Sequence, residues 1–468
     1  MAKQNRNSLQ VSWNNDWIHK FESSWGIFEK FKFANAATLQ DIFHLFGTGD
    51  ARKVKYRYGK YLRNLISLEG IDNKLLHSQL GIEIKKVVHN DLLEIAGKLP
   101  LGRNGVSTYF NEILVYCEEC MSLGYHSWLH QFKLLHVCPF HHSKLKKKCT
   151  RCNSYFPFLL SDENSPFKCK CGYSFIKENY NEKISLIWKE AENLTLDDEL
   201  TNKWFLINRQ NNFKVEFLYD LYNYEKQDLF QKIINAFHTK DHLENNYKNF
   251  IKINIYNNKK RRILYHDNLK LLSEIEISSN QCLKSLTRYI KKTHLQKHIS
   301  CISRYKKMRL CEEEICPIAF AYVHWKKSVK GLKKYWEVDN GSRLKRSYPI
   351  FPFYFDFASQ QDSAILFDLW YRLVKASAEF EMGHPEMISI INRVMCILAI
   401  NHFNNWVKFA HELSVKDSEI YKGPKLHENL PFFIIKIQKK DSGYISFWTD
   451  ISDKRFDIGV MQSCLFSK

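Results

Sequence analysis

Apolar side chains recur at helical spacing along most of this chain, and the pattern is dense near the amino terminus. Between residues 13 and 47 the aromatic positions include Trp17, Phe21, Trp25, Phe28 and Phe31. Residues three or four positions apart share one face of an α-helix, so this spacing predicts a helix whose aromatic face packs against a core.

Shorter runs of the same kind follow over residues 64–98 and predict a series of short helices. Their expected core positions are Leu75, Leu76, Leu80, Ile82 and Ile84. Two short helices joined by a tight turn can form a helix-turn-helix. The spacing alone does not separate that motif from other packings of short helices.

A second outline of this motif lies in the third quarter of the chain. The pattern predicts a helix ending at Ile275, a polar turn through residues 276–280 and a second helix over 281–293. The second helix would carry Lys and Arg on its outer face, as a DNA-reading helix does. A plain helical hairpin is the alternative interpretation.

Beyond about residue 348 the pattern changes. Two apolar segments over 365–380 and 387–413 predict helices, and they are followed by strand-like segments at 432–438 and 443–448. We interpret this tail as a carboxyl-terminal domain that folds separately, and it contains no motif that we recognise.

The composition limits the class of protein. Apolar residues make up 44% and aromatic residues 15% of the 468 positions, which is typical of folded domains. No apolar run of about 18 residues occurs, so we expect a soluble, cytoplasmic protein without a membrane partner. Motifs of P-loop, zinc-protease, serine-hydrolase and kinase enzymes do not occur, and we therefore expect no enzyme activity.

Seven of the 13 cysteines are grouped in paired spacing within 55 residues. The predicted ligands are Cys117, Cys120, Cys138 and His141 for a first ion and Cys149, Cys152, Cys169 and Cys171 for a second. Each set fills a tetrahedral shell and leaves no position for an activated water, so the spacing predicts two structural Zn²⁺ ions. Buried free cysteines are the alternative.

A third site is less well supported by spacing. His294, His298, Cys301 and Cys316 are ligand-type residues, but they contain no pair of cysteines two residues apart. Packed core is the alternative interpretation for these four side chains.

The charge is strongly positive, with 70 Lys and Arg against 50 Asp and Glu, and residues 281–346 hold 17 of these cations against 5 acids. An excess of this size favours a polyanionic partner, here double-stranded DNA. The residues expected to contact DNA are Lys284, Arg288, Lys291, Lys292, Lys259, Lys260, Arg261, Arg262, Arg52, Lys53 and Arg57. For the last three, which alternate with tyrosines, a solvated helix face is an equally good interpretation.

The order of these motifs resembles that of the TniQ/TnsD family of transposon target-site selection proteins. The matching residues are Cys117, Cys120, His130, Gln131, Cys138, Pro139, His141, Leu145, Cys149, Cys152, Cys169, Cys171 and Gly172. The match covers about 60 residues, and a shortened form of the family's amino-terminal motif lies at 22–25. His142 stands where the family usually has Gly and could compete with His141 as a ligand, and the Pro that usually follows the first Cys is missing.

The resemblance implies a target-site selector that binds an attachment site in DNA and recruits an AAA+ ATPase regulator and a transposase, within the nucleoid-associated cytoplasm. An RNA-guided complex is a further partner that the resemblance allows. The ATPase is expected to dock on the amino-terminal helix, through any of Trp17, Trp25 or Phe28 that is not buried in the core. A zinc-containing DNA-binding transcription regulator is the alternative function.

Together these patterns predict a mainly α, multidomain protein. The expected parts are an amino-terminal helical, helix-turn-helix-like domain over 1–110, a module of two small zinc ribbons or knuckles over 111–178, a basic helical region over 179–346 and a carboxyl-terminal domain over 347–468.

Overall fold

The protein is mainly helical, as the periodicity predicts. The structure is a computed structural model that describes residues 11–53, 59–99, 105–161, 165–176, 188–209, 213–218, 229–238, 250–254, 265–307, 316–330, 384–412, 433–438 and 444–449. Its internal contacts group the chain into two compact units. Unit 1 comprises Met1–Asn211 and Tyr224–His238, and unit 2 comprises Asn212–Asn223 and Thr239–Lys468.

Unit 1 is built from short helices around an aromatic core. Its helices are α1 (Ser24–Asn35), α2 (Leu39–Phe46), α3 (Gly49–Lys53), α4 (Asn73–Leu80), α5 (Ile84–Ala96), α6 (Glu118–Ser122), α7 (Trp128–Gln131), α8 (Glu199–Arg209) and α9 (Leu229–His238). Single 3₁₀ turns lie at Asn15–Trp17, Val106–Tyr109 and Ala191–Asn193.

Helix α1 begins where the sequence supplies a cap. The Ser23 hydroxyl accepts a hydrogen bond from the backbone N–H of Gly26, which satisfies one of the free donors at the start of the helix. Phe28 and Phe31 are buried, as expected for the aromatic face, but the helix begins only at Ser24, so Trp17 and Phe21 precede it. The helix also buries Lys30, whose ammonium lies 2.8 Å from the Glu22 carboxylate with both side chains fully enclosed.

Helices α4 and α5 form the predicted pair of short helices before the cysteine-rich segment. Gly81 ends α4 with φ of 71°, a left-handed conformation that glycine adopts without steric cost. The expected core positions Leu76, Leu80, Ile82 and Ile84 are buried, whereas Leu75 is only half-buried. The fully buried Trp204 of α8 fixes the end of this pair, because its indole N–H donates to the carbonyl of Ile95 at 2.7 Å.

Unit 2 combines long helices with a small sheet. Its helices are α10 (Tyr265–His294), α11 (Ile299–Lys307), α12 (Pro317–Lys330) and α13 (His384–Glu412), with a 3₁₀ turn at Gln296–His298. Its strands are β1 (Phe213–Leu218), β2 (Phe250–Asn254), β3 (Phe433–Gln438) and β4 (Tyr444–Thr449). Strands β3 and β4 confirm the two strand-like segments, and α13 confirms the second apolar helix of the tail; the first, over 365–380, lies outside the described residues.

The four strands form one antiparallel sheet in the order β1-β3-β4-β2. Strands β3 and β4 form a hairpin in which Phe433 lies opposite Thr449 and Gln438 opposite Tyr444. Strand β1 pairs with β3 and strand β2 with β4. The two strands that come first in the chain therefore form the edges of the sheet.

The predicted turn at 276–280, and with it the helix-turn-helix, is wrong, because α10 is continuous from Tyr265 to His294. Residues 276–280 contain neither Gly nor Pro, so nothing local stops the helix. Packing against α13 supports it instead: the Asn392 amide donates to the Ser278 hydroxyl, in the middle of the expected turn. Further along α10, Leu286 and Ile290 are buried in the core of unit 2.

The predicted boundary at residue 346 lies outside the described residues, and the elements on its two sides pack together. Helix α13 contacts α10 and α12, and the indole N–H of Trp325 in α12 donates to the carbonyl of Ala399 in α13 at 2.7 Å. The unit 2 elements of regions 179–346 and 347–468 thus share one helical core and one sheet, whereas α8 and α9 of the first region belong to unit 1. None of the described helices has the length and apolar character needed to cross a membrane.

Candidate metal centres and basic surface

The first four predicted ligands converge in unit 1. The Nδ1 atom of His141 lies 3.6, 3.2 and 3.7 Å from the sulfur atoms of Cys117, Cys120 and Cys138, and the last two sulfurs are 3.7 Å apart. A tetrahedral Zn²⁺ with Zn–S bonds of about 2.3 Å needs ligand separations of about 3.5–3.8 Å. The three cysteines are fully buried and the histidine is half-buried, so the cluster can hold a metal ion in a closed shell.

The second set converges in the same way but nearer the surface. The Cys149 and Cys171 sulfurs are 3.7 Å apart and the Cys152 and Cys169 sulfurs 3.5 Å apart. All four sulfurs lie within 4.8 Å of one another, with Cys149 and Cys169 buried and Cys152 exposed. This cluster also fits one tetrahedral ion.

One local turn positions a ligand pair in each cluster. The Cys138 N–H donates to the carbonyl of Ser143, and the His142 N–H donates back to the Cys138 carbonyl, at 2.8 and 2.9 Å. The turn closes because His142 has φ of 53°, in the left-handed region. His142 is exposed, whereas His141 lies with the three cysteines in the group that could hold an ion.

The same turn recurs eleven residues later. The Cys149 N–H donates to the Ser154 carbonyl and the Asn153 N–H to the Cys149 carbonyl, both at 2.9 Å, with φ of 55° at Asn153. Each turn also brings a serine hydroxyl to a thiol: Ser143 lies 3.2 Å from Cys117 and Ser154 lies 3.0 Å from Cys152. The two knuckles are therefore built alike, although one ends in histidine and the other in cysteine.

The pKa values of the thiols differ within each cluster. Hydrogen bonds from Cys120 and Cys138 lower the pKa of Cys117, and the hydrogen bond to Cys117 raises the pKa of Cys138 to about 12. In the second cluster, a hydrogen bond from Ser154 lowers the pKa of Cys152 to about 6, while burial raises the pKa of Cys169 to about 12. Each set thus combines thiols that ionise readily with thiols that keep their protons, and a divalent cation binds by displacing those protons.

His130 supports the first cluster without belonging to it. The backbone N–H of Ser127 donates to its Nδ1 atom, so the proton of the neutral ring lies on Nε2, which is 3.6 Å from the Cys138 sulfur. Burial lowers the pKa of His130 to about 4, which keeps the ring neutral. His130 is thus buried and hydrogen-bonded, and its contact with Cys138 is of the kind that orients a thiolate ligand.

The segment 22–25 connects helix α1 to the metal-binding region, which the sequence did not reveal. The Ser23 hydroxyl lies 2.6 Å from Nδ1 of His126, and His126 Nε2 donates to the carbonyl of Val115, at the start of the first cluster. Trp25 packs edge-on against His126 and Phe167. The sequence signal that was available is the helix cap Ser23 together with the charged residues Glu22 and Lys30 in an otherwise apolar segment.

A third group of ligand-type side chains lies in unit 2. His298, Cys301 and Cys316 bring their ligand atoms within 4.8 Å of one another. His294 is not part of this group and packs against Phe403, with ring centroids 5.9 Å apart.

Four of the residues expected to bind DNA share one face of α10. Lys284, Arg288, Lys291 and Lys292 are all exposed, at intervals of four, three and one residues. The buried positions of the same helix, among them Leu283, Leu286 and Ile290, lie on its other side. We call these four cations the basic row. No ion pair found among the described residues includes any of them.

The other expected DNA contacts are divided. Arg52 and Lys53 are exposed on α3, where the Arg52 guanidinium donates to the carbonyl of Leu45 at 3.1 Å. Arg57 and the run 259–262 lie outside the described residues. The structure therefore places Arg52 and Lys53 in unit 1, at the end of a short helix, and the four residues of the basic row together on one face of α10.

The aromatic residues expected to bind a partner are mostly in the core. Trp25 and Phe28 are buried with 9% and 2% of their surface exposed, because the aromatic face of α1 packs inward. Trp17 remains half-buried beside Trp188, with centroids 4.9 Å apart. Trp13, at 5.4 Å from Trp17, and the 39%-exposed Phe33 extend this surface, and the sequence did not single them out.

The structure thus offers two four-ligand clusters, one three-ligand cluster and one exposed basic row within its described part. No protein-family model, curated protein or solved structure matches this chain.

Proposed function

We propose that this chain is a DNA-binding adaptor that selects the target site of a transposition system and recruits an AAA+ ATPase regulator and a transposase. The basic row on α10 carries the DNA-binding half of the proposal. The order of the metal-ligand motifs, which resembles that of TniQ/TnsD proteins, supports the transposition half. We also propose that Cys117, Cys120, Cys138 and His141 hold one structural Zn²⁺ and that 149, 152, 169 and 171 hold another.

The basic row has dimensions that suit a duplex. From Lys284 to Lys292 an α-helix rises about 12 Å, which is close to the width of the major groove of B-DNA. Exposed cations spaced along such a face can contact phosphates on both sides of the groove, and they bind by releasing condensed counterions. Such contacts position the protein, and base-reading residues supply the sequence preference.

Salt dependence and charge reversal test this role. We would measure binding of the full chain to a fluorescent duplex of mixed sequence between about 50 and 200 mM salt. The wild type is compared with a variant in which Lys284, Arg288, Lys291 and Lys292 are all changed to Glu. Loss of four phosphate contacts should weaken binding to every sequence and reduce the slope of log affinity against log salt by about 3–4.

A control variant should separate local contact from net charge. Lys20, Lys60, Lys74 and Lys189 are exposed residues of unit 1, outside α10. Changing these four to Glu alters the net charge by the same amount and should leave most of the affinity. Equal loss in both variants, or binding that does not respond to salt, would contradict a DNA surface on α10.

Recruitment of the ATPase is assigned to unit 1, which carries the motifs that resemble the family. The half-exposed surface of Trp17, Trp13 and Phe33 is the proposed contact. In a pull-down of the full chain with its proposed AAA+ ATPase partner, Trp17→Ala should weaken the complex while metal content and unfolding midpoint stay unchanged. Trp25→Ala is the matched control, since loss of a buried ring should lower the stability of the unit itself.

The identity of the neighbouring genes distinguishes this function from that of a transcription regulator. A transposase gene and an AAA+ ATPase gene beside this one are expected for a target-site adaptor. Their absence, together with DNA binding near the protein's own promoter, would favour the regulator.

A further inference from the structure

The three-ligand cluster in unit 2 joins three consecutive elements. His298 ends the 3₁₀ turn after α10, Cys301 lies in the first turn of α11, and Cys316 immediately precedes α12. The Cys316 sulfur lies 3.3 Å from Nδ1 of His298. These residues come together because Leu295 and Phe320 next to them are buried in the core of unit 2.

The surroundings distinguish this cluster from ordinary buried thiols. Cys282 and Cys396 of the same core are only 7% exposed and lie among apolar side chains. His298, Cys301 and Cys316 are all half-buried, at the edge of that core, where an ion could enter. Cys316 also stands at the amino-terminal end of a 14-residue helix, where the partial positive charge of the helix stabilises an anionic ligand.

We propose that His298, Cys301 and Cys316 bind a third metal ion that ties α11 to α12. Two thiolates and one imidazole are donors that select Zn²⁺ over the hard cations Mg²⁺ and Ca²⁺. Three side chains leave one position of a tetrahedral shell for a further ligand such as water. This ion should therefore exchange faster than the ions of the two four-ligand clusters. The proposal does not depend on the DNA-binding function.

Metal content measures the proposal directly. Full-length protein reconstituted with Zn²⁺ alone, desalted quickly without a chelator and analysed by native mass spectrometry, should carry three ions per chain. Cys301→Ser combined with Cys316→Ser should carry two. Cys282→Ser is the control, because it removes a neighbouring thiol from the same unit and should leave three. Two ions in the wild type, or a third ion kept by the double variant, would overturn the proposal.

Thiol labelling of the wild type keeps the test decisive if the double variant does not fold. Cys301 and Cys316 are half-exposed and should be alkylated when a mild chelator has removed only the fastest-exchanging ion. Added Zn²⁺ should protect both, and peptide mass spectrometry reads the two positions separately. Labelling that is equal with and without Zn²⁺ would show that no ion binds there, whatever the state of the other two sites.

Discussion

A positive φ at His142 restricts which residue the first knuckle tolerates at that position. L-residues other than glycine pay about 1–2 kcal/mol in the left-handed region, and His142 has φ of 53°. Glycine adopts this conformation without steric cost. Sequence spacing located the ligand pair, because the turn is local, but the choice of His141 over His142 depends on a dihedral angle.

We predict that His142→Gly stabilises the first knuckle by about 0.5–1 kcal/mol, since glycine relieves the strain at a smaller entropic cost. The midpoint of unfolding by denaturant should rise, and the number of bound ions should not change. His142→Ala keeps the Cβ atom and should give no such gain. Loss of one ion in the glycine variant would instead show that His142 is a ligand.

His130 should affect metal affinity rather than only stability. Removal of the N–H that faces the Cys138 sulfur in His130→Ala should weaken Zn²⁺ binding by about 10–100-fold, as loss of such supporting contacts does. Competition with a chromogenic chelator measures this affinity.

His126 provides the matched control for that measurement. It is equally buried and bonds to Val115 and Ser23, away from the thiols. His126→Ala should lower the unfolding midpoint with little change in Zn²⁺ affinity. A similar drop in Zn²⁺ affinity for both variants would show that His130 acts only through packing.

At the scale of elements, α10 shows where a local pattern misleads. The polar run at 276–280 predicted a turn, yet hydrogen bonding from Asn392 and the apolar face against α13 hold it in a helix. Those partners lie more than a hundred residues away in the chain. The same limit applied to the sheet, since β3 and β4 were identified from alternation but their pairing with β1 and β2 was not.

Proline substitution distinguishes a continuous helix from a helix-turn-helix. Ser279→Pro should destabilise unit 2 by about 3 kcal/mol or more, because it removes a hydrogen bond and clashes with the preceding turn inside a helix. Ser279→Ala should be neutral or slightly stabilising. Both effects are measured by chemical unfolding of the full chain. A proline variant as stable as the alanine variant would contradict the continuous helix and support a turn at residues 276–280.

At the scale of the whole molecule, buried neutral histidines make the stability of unit 2 depend on pH. His402 is buried, accepts a hydrogen bond from the Trp406 indole at 3.1 Å, and has its pKa lowered to about 3 by that burial. His324, with its ring 5.2 Å from Trp406, has its pKa lowered to about 4, chiefly by burial. The unfolded chain binds protons on both between their folded pKa values and about 6.5, whereas the folded unit does not.

Stability should therefore be fully present above pH 6.5 and fall as the pH is lowered. By pH 5 the His402 term alone should cost about 2 kcal/mol. Hydrogen exchange of peptides covering 384–412, corrected for intrinsic rates, should show this loss of protection. His402→Gln keeps an acceptor for Trp406 and cannot titrate, so it should lessen the dependence; an unchanged pH profile would contradict the assignment.

The order of the strands has a consequence for the time at which unit 2 can form in the cell. Strands β1 and β2 are synthesised first but lie at the edges, and the strands between them are completed only at residue 449. At about 5–20 residues per second, a ribosome needs roughly 10–40 s to travel from β1 to β3. All residues of unit 1 have been synthesised once translation passes residue 238. Unit 1 can therefore fold before β3, the pairing partner of β1, has been made. Completion of the sheet in unit 2 is therefore tied to near-complete translation, because a nascent chain stalled before β3 has both edge strands and neither central strand.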